Sequence, residues 1–400
     1  MWKKSIWNTV VQIGGKGMTV LVTLVTTGII TRKLGVNNYG NFILITSMFV
    51  FLDALSDFGE KTIGIREIAK GNKVMGNLVK LKLMTTAVAW ILGMVVIWRW
   101  SGFEGIRVEA TVALVMVWLT SLFGLGEVVF QSKLMMGKKV LVDVLFPLLF
   151  LAALVSWRGE VNLMWVLAVY LGARVVSMIP GWWLIKGNEE FKHLRVRESE
   201  GLKKLWQQTW PMGVFMIIFA AYDRMVDSMM IQYFLGASEV AFYGLAYKIY
   251  GVLIQPAYFY VNSIFPIMSS NQTGKKQIFK ISLGLLAAGM GLVVTGITIW
   301  APEIINLLAG NQYGLAVPVL RILVWGCVFT YFGHLIGFTL IARGGQKRML
   351  IVGTIGLMFN ITGNWIFIPR FGINGAAGVT VVTEALGLMT MSYFLWKQEK

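Results

Sequence analysis

The feature that most limits what this chain can fold into is a series of long apolar runs separated by short loops. They fall at about 8–31, 40–58, 83–98, 109–130, 140–157, 161–185, 206–235, 240–268, 281–301, 316–342, 350–369 and 373–396. A helix needs about 20 mainly apolar residues to cross the hydrocarbon core of a bilayer. Composition points the same way: 56% of the residues are hydrophobic and 14% charged, against roughly 25% charged in a soluble domain. The longest hydrophilic stretches, 59–82 and 186–205, have the size of linkers rather than of a soluble domain. The expected fold is therefore an all-α integral membrane protein with about twelve transmembrane helices.

The loops carry an orientation signal. Lys3 and Lys4, the basic residues of 59–82, Lys133, Lys138 and Lys139, those of 186–205, Lys275, Lys276 and Lys280, Arg343, Lys347 and Arg348, and Lys397 and Lys400 make 25 cations on one side. The alternate loops hold six: Arg32, Lys33, Arg99, Arg107, Arg158 and Arg370. Basic residues accumulate in cytoplasmic loops, so both termini are expected in the cytoplasm; the membrane expected is the plasma (inner) membrane. The same distribution explains the net charge of +17 without a nucleic-acid partner. The apolar segment after Met1–Lys4 runs on to about Ile30 with no small-residue cleavage site, and reads as the first span rather than a signal peptide. Cys327 is the only cysteine, which excludes an intramolecular disulfide.

An internal echo suggests duplication. Leu34-Gly35 followed by Tyr39-Gly40 closes the first span and opens the second; Leu235-Gly236 followed by Tyr243-Gly244 does so between spans seven and eight. The expected organisation is a six-helix bundle over 1–185, a cytoplasmic linker over 186–205 and a second six-helix bundle over 206–400, a common transporter plan. The linker mixes basic and acidic residues with Phe191, Leu194, Val196 and Leu202, a pattern open to an amphipathic surface helix or a solvated strap.

Polar groups inside spans carry the chemical information. A charge at the bilayer centre costs about 2.5–3.5 kcal/mol on insertion scales, so such residues face a cavity or a partner. Lys16, Arg174, Arg224, Lys248 and Arg321 are embedded cations; Asp53, Asp57, Glu127, Asp143, Asp223, Asp227 and Glu384 are embedded or span-end acids, with His334 as a further titratable group. Gln12, Lys16, Thr19, Thr23 and Thr26 recur on one face of the first span. That stripe suits either a wet cavity or hydrogen bonds between helices. Lys248, Gln255 and Asn262 repeat it in span eight among dense tyrosines, suited to sugar rings or to a membrane interface. Asp223 and Asp227 share a face beside Arg224, and Asp53 and Asp57 form a second four-apart pair whose Asp57 can reach Arg66. The acids read as sites for a proton or coupling cation, or as neutralised ion pairs.

Enzyme signatures are missing: no phosphate-loop motif occurs, and two histidines with one cysteine make a zinc centre a poor fit. No cofactor, metal or catalytic residue is expected.

Arg32-Lys33-Leu34-Gly35, Tyr39-Gly40-Asn41-Phe42, Asp57-Phe58-Gly59 and Arg66-Glu67-Ile68-Ala69-Lys70, with Asp223-Arg224 before Leu235-Gly236 and Phe371-Gly372-Ile373-Asn374-Gly375-Ala376-Ala377, resemble the polysaccharide transporter family. These are the O-antigen-type oligosaccharide flippases of the MATE-like exporter superfamily. The resemblance spans nearly the whole chain. It implies two six-helix bundles around a cationic cavity, moving polyprenyl-pyrophosphate-linked sugar from the inner to the outer leaflet by alternating access. On that basis Lys16, Arg174, Arg224, Lys248 and Arg321 are expected to bind the headgroup, and Asp53, Asp57, Asp223, Asp227 and Glu384 to couple an ion. The partners it implies are lipid-linked oligosaccharide, membrane lipid, a glycan polymerase and glycosyltransferases. Rival readings are a cation-coupled multidrug exporter of the same superfamily, which would centre on acids, a lipid-linked peptidoglycan precursor flippase, a membrane-embedded glycan-assembly enzyme and a scaffold.

Overall fold

The computed structural model describes residues 2–185, 199–269 and 275–399, and among them every regular element is helical. In chain order they are α1 (Trp2–Asp57), α2 (Glu60–Ala69), α3 (Met75–Arg99), α4 (Arg107–Ser132), α5 (Met136–Ser156), α6 (Leu163–Ile185), α7 (Ser199–Ala220), α8 (Val226–Phe234), α9 (Ala237–Leu253), α10 (Gln255–Ser269), α11 (Lys275–Ala309), α12 (Ala316–Leu323), α13 (Gly326–Ala342) and α14 (Gln346–Glu399). A π-helical turn at Ala221–Met225 joins α7 to α8.

Two of these helices are each a pair of spans. α1 breaks at Gly35 (φ 70°, ψ 174°) and α14 at Gly372 (φ 59°, ψ −147°). Such a conformation is open to glycine and costs any L side chain of order 1–3 kcal/mol. In α14 a Cβ on Gly363 would lie 2.9 Å from the Val379 side chain. Sixteen residues of straight helix would separate those positions by about 24 Å; the two halves therefore fold back on each other.

Eight stretches of described helix have the length and hydropathy of a membrane span. Dividing α1 and α14, and reading α7 with α8 and α9 with α10 as broken spans, gives twelve segments at the places the apolar runs predict. Their outer faces are apolar, with Leu292 and Leu307 more than three-quarters exposed, as a bilayer permits and water does not. Exposed Trp98, Trp157, Trp183 and Trp396 stand near helix ends, the interfacial position that suits an amphipathic ring.

The stretch 59–82 is not simply a loop. It folds into α2 and the start of α3, with Glu60 in the first turn of α2 and Arg66 in its last, each charge opposing the helix dipole at its end. Of the expected linker, 186–198 lies outside the described residues, and 199–205 continues into α7.

By its contacts the chain divides into two compact units, Met1–Ala220 and Ala221–Lys400. The contact division comes at the π turn because α7 packs on α1, α2 and α3. Phe58 and Trp206 stack with their centroids 5.1 Å apart, and Arg66 donates to Gln208 at 3.0 Å. The sequence echo is a turn device in each unit. Gly236 (φ 98°, ψ −178°) adopts nearly the conformation of Gly35, and both Tyr39 and Tyr243 are buried.

Candidate functional site

In unit 1 the interior charges come from α1 to α6. The first half of α1 runs along α5: a Cβ on Gly15 would meet Val140, while Lys33 donates to the Leu154 and Trp157 carbonyls at 2.8 and 3.1 Å. Lys33 thereby satisfies the unpaired carbonyls at the end of α5. Lys16, one residue beyond Gly15, is exposed. Two hydroxyls of the stripe around it donate within their own helix. Thr19 and Thr26 bond to carbonyls one turn back in their own helix, at 2.9 and 2.7 Å. Their hydroxyl donors are thereby satisfied inside α1. The Gln12 side chain lies outside the described residues.

Arg174 projects from α6 between Phe123 of α4 and Phe146 of α5, its guanidinium 5.2 Å from each ring centroid. Its Nε is buried without a hydrogen-bond partner among the described residues. A cation held by ring faces is positioned and partly desolvated yet keeps donors to spare. Tyr170, one turn away on the same helix, packs edge-on against Phe146 and Phe150.

The unit 1 acids have assigned partners. Asp53 accepts from Thr120 at 2.6 Å. Asp57 pairs with Lys82 at 3.2 Å rather than with Arg66, which bonds Glu67 at 3.0 Å. Lys82 also donates to the Ser56 carbonyl at 3.2 Å, and its side chain is 6% exposed, so this cation of the expected loop is buried. Around it, Ser56, Thr86 and Ser121 link α1, α3 and α4 through their hydroxyls, and Thr85 donates to Glu60 at 2.9 Å. Glu127 takes Lys61 on one oxygen and Lys139 on the other.

Unit 2 buries acids differently. Asp227, 1% exposed, accepts from Tyr243 and Thr380 on one oxygen and from Asn364 at 2.6 Å on the other. Asn364 in turn donates to Asn360 at 3.1 Å, both amides being buried. Glu384 accepts from Tyr222 at 2.6 Å and Thr330 at 3.2 Å, and Thr330 meets the Tyr250 hydroxyl at 2.8 Å. A Cβ on Gly326 would sit 3.0 Å from that hydroxyl, so the glycine admits Tyr250 to the site. Asp223 accepts from Tyr247 at 3.3 Å. Tyr243, Tyr247 and Tyr250 form a ladder along α9, spaced to share one face, and each hydroxyl answers an acid or the threonine on an acid. Their density in the sequence thus reflects an internal network that engages all three hydroxyls.

The remaining predicted cations of unit 2 are dispersed. Lys248 follows Tyr247 on α9 and is half-buried; the Arg224 side chain lies outside the described residues. Arg321 is exposed and donates to the Thr298 carbonyl of α11 at 3.0 Å, a bond that fastens α12 to α11. His334 stands edge-on to Tyr258 with centroids 5.6 Å apart.

A family profile described as "Polysaccharide biosynthesis protein" matches residues 1–272, more than half of the 400. The chain belongs to the polysaccharide biosynthesis protein family. This family member is 22% identical over 378 residues to a Haloferax volcanii protein named "Probable low-salt glycan biosynthesis flippase Agl15", covering 91% of this chain and 78% of that one. A Staphylococcus aureus capsular polysaccharide biosynthesis protein, CapF, is 29% identical over 91 residues, 23% of each chain. In fold it is similar to an inward-facing multidrug resistance MATE family transporter of the MOP superfamily (TM-score 0.78, 16% identity, 98% and 97% of the two chains). It is equally similar to the lipid II flippase MurJ in an inward closed conformation (TM-score 0.78, 12% identity, 97% and 87%). The MATE-like fold implied by the sequence motifs is thus the fold of this polysaccharide biosynthesis protein.

Sequence reasoning missed Lys61, Lys82 and Lys139, which it counted as loop cations. A usable signal was present in Glu127 and Asp57. An embedded carboxylate requires a partner, but the cation nearest in sequence is Lys61 for Asp57 and Lys133 for Glu127, so the signal marks a need for a lysine without saying which one.

Proposed function

We propose that this protein is a flippase that carries a polyprenyl-pyrophosphate-linked oligosaccharide from the inner to the outer leaflet, as a carrier and not an enzyme. The observation that carries the reading is Arg174, a guanidinium held between Phe123 and Phe146 with a donor unspent, in a member of a polysaccharide biosynthesis family. Charge-assisted hydrogen bonds from such a group to phosphate are strong. Lys16 and Arg174 in unit 1 and Arg224, Lys248 and Arg321 in unit 2 are the proposed headgroup contacts, within two six-helix halves that alternate access to the substrate. The richly basic loops lie in the cytoplasm with both termini, and a glycan polymerase and glycosyltransferases act on the same lipid-linked substrate.

Asp227 and Glu384 are the proposed ion-coupling groups, joined by Asp223, Asp53 and Asp57. The partners described for Asp227 and Glu384 are neutral hydroxyls and amides. Buried carboxylates so placed favour uptake of a proton or a small cation, because a lone charge in a medium of low dielectric is costly. The same acids favour the second reading, a cation-coupled multidrug exporter, which the MATE fold also accommodates.

Proteoliposomes containing the full chain and a fluorescent lipid-linked oligosaccharide test both. Leaflet translocation is expected, and it is expected to fall at least tenfold in Arg174→Ala with the protein still folded and inserted. Export of a lipophilic cation with no movement of the lipid-linked sugar would instead favour the exporter.

A further inference from the structure

Two lysines from different helices converge on one buried carboxylate in unit 1. Lys61, in the first turn of α2, bonds Glu127 Oε2; Lys139, in the first turn of α5, lies 3.4 Å from Glu127 Oε1 and also bonds Asp143. The acid is at the bottom of the cluster and the ammonium groups are more open. The Glu127 side chain is 9% exposed, against 33% for Lys61 and 20% for Lys139. Asp53 and Asp57 also act electrostatically on Lys61.

Two ammonium groups this near one another repel unless an anion sits between them. Here the protein supplies that anion from α4. A double-lysine seat with an internal carboxylate matches the chemistry of a phosphate site with its occupant in place. The cluster also lies in line with the cation already assigned to the headgroup. Phe123, against Arg174, is four residues from Glu127, and Phe146, on its other side, is seven from Lys139. At 1.5 Å per residue Arg174 stands about 6–10 Å further along the helices. Lys16 follows Gly15, which packs on Val140, the residue after Lys139.

We propose that Lys61 and Lys139 form a second phosphate-binding pair, and that Glu127 is a displaceable internal stand-in for the substrate's pyrophosphate. Headgroup binding transfers both ammonium groups from Glu127 to phosphate oxygens; on release Glu127 and Asp143 recapture them. The site then passes the pyrophosphate on to Arg174. This rests on the flippase reading and adds to it a pair of contacts and a release device. No bond other than hydrogen bonds and ion pairs is made or broken.

The sign of one substitution separates this from a merely structural ion-pair cluster. Farnesyl pyrophosphate is titrated by calorimetry into the purified full chain, with thermal unfolding as a check on the fold. Lys61→Gln with Lys139→Gln should weaken binding about tenfold or more, whereas Glu127→Gln should tighten it severalfold and slow translocation of the lipid-linked sugar. Unchanged affinity in a folded double-lysine variant, or weaker binding in Glu127→Gln, overturns the proposal. If Glu127→Gln does not fold, Asp143→Asn, which frees Lys139 alone, should tighten binding by a smaller factor, and unchanged or weaker binding there overturns it. The two ideas fail separately. Wild-type protein that binds the probe through these lysines but moves no lipid-linked sugar defeats the flippase reading. Translocation that persists in the folded double-lysine variant at the wild-type rate defeats this one.

Discussion

The two units bury carboxylates in opposite ways. Unit 1 sets lysines against two of its acids, Lys82 against Asp57, and Lys61 and Lys139 against Glu127, while Asp53 and Glu60 accept from threonine hydroxyls. Unit 2 surrounds Asp227 with Tyr243, Asn364 and Thr380, and Glu384 with Tyr222 and Thr330. A lysine supplies both a hydrogen bond and a compensating charge. A hydroxyl or amide supplies only the bond, so the carboxylate is left without a compensating charge among its described partners. Under the proposed function both units carry headgroup cations and coupling acids, and the difference lies in the acids: Asp57 and Glu127 of unit 1 are held by lysines, whereas the partners described for Asp227 and Glu384 of unit 2 are neutral.

The strongest challenge to this division is Asp227→Asn. It keeps the size and much of the hydrogen bonding but removes the charge. Transport is expected to fall on the order of 100-fold, since a coupling ion shifts a conformational equilibrium only through its differential affinity, while abundance in the membrane stays near wild type. Normal transport by this variant would remove Asp227 from the coupling step.

Next in size is Lys82→Met in unit 1, which leaves Asp57 buried without its cation and should destabilise by about 3–5 kcal/mol. Adding Asp57→Leu should recover most of that loss, because both charges are then gone. The readout is the unfolding temperature of detergent-purified protein, and a single variant as stable as wild type would show the pair to be dispensable.

A smaller effect is expected at the hinge glycines, which tests whether both units depend on the same turn. Gly372→Ala and Gly35→Ala should each cost about 1–3 kcal/mol. Neither position has a neighbouring atom within 4 Å of an added Cβ, so the loss would come from the backbone alone. Gly14→Ala, which also meets open space but sits in regular helix, serves as the neutral control. The smallest change is expected for Arg321→Ala, within about 0.5 kcal/mol in stability and less than threefold in transport. Its guanidinium also serves the Thr298 carbonyl, which makes Arg321 the weakest of the proposed headgroup contacts; transport unchanged from wild type would take it out of that set.

Much of the architecture was legible in the residues. Twelve apolar runs became twelve helical segments, and the Leu-Gly and Tyr-Gly echo proved to be one glycine turn used at Gly35 and Gly236. The site was less legible. Arg174 and Asp227 were picked out because hydrocarbon makes an embedded charge conspicuous, yet their partners lie 28 to 153 residues away: Phe123 and Phe146 for one, Asn364 and Thr380 for the other. Lys61, Lys82 and Lys139 went unremarked for the converse reason. A lysine near a span end has the same local sequence whether it stays in the loop or folds inward.

The amino-acid sequence by itself determined the solvent this protein folds in, the number of its spans and the residues that hydrocarbon would penalise, because these depend on local length, polarity and backbone freedom. Tertiary structure alone decided which charges neutralise one another, which tyrosines serve acids and which lysines turn inward. Those are properties of pairs distant in the chain, and their energies exist only once α4 stands beside α2 and α5, and α8 beside α9 and α14.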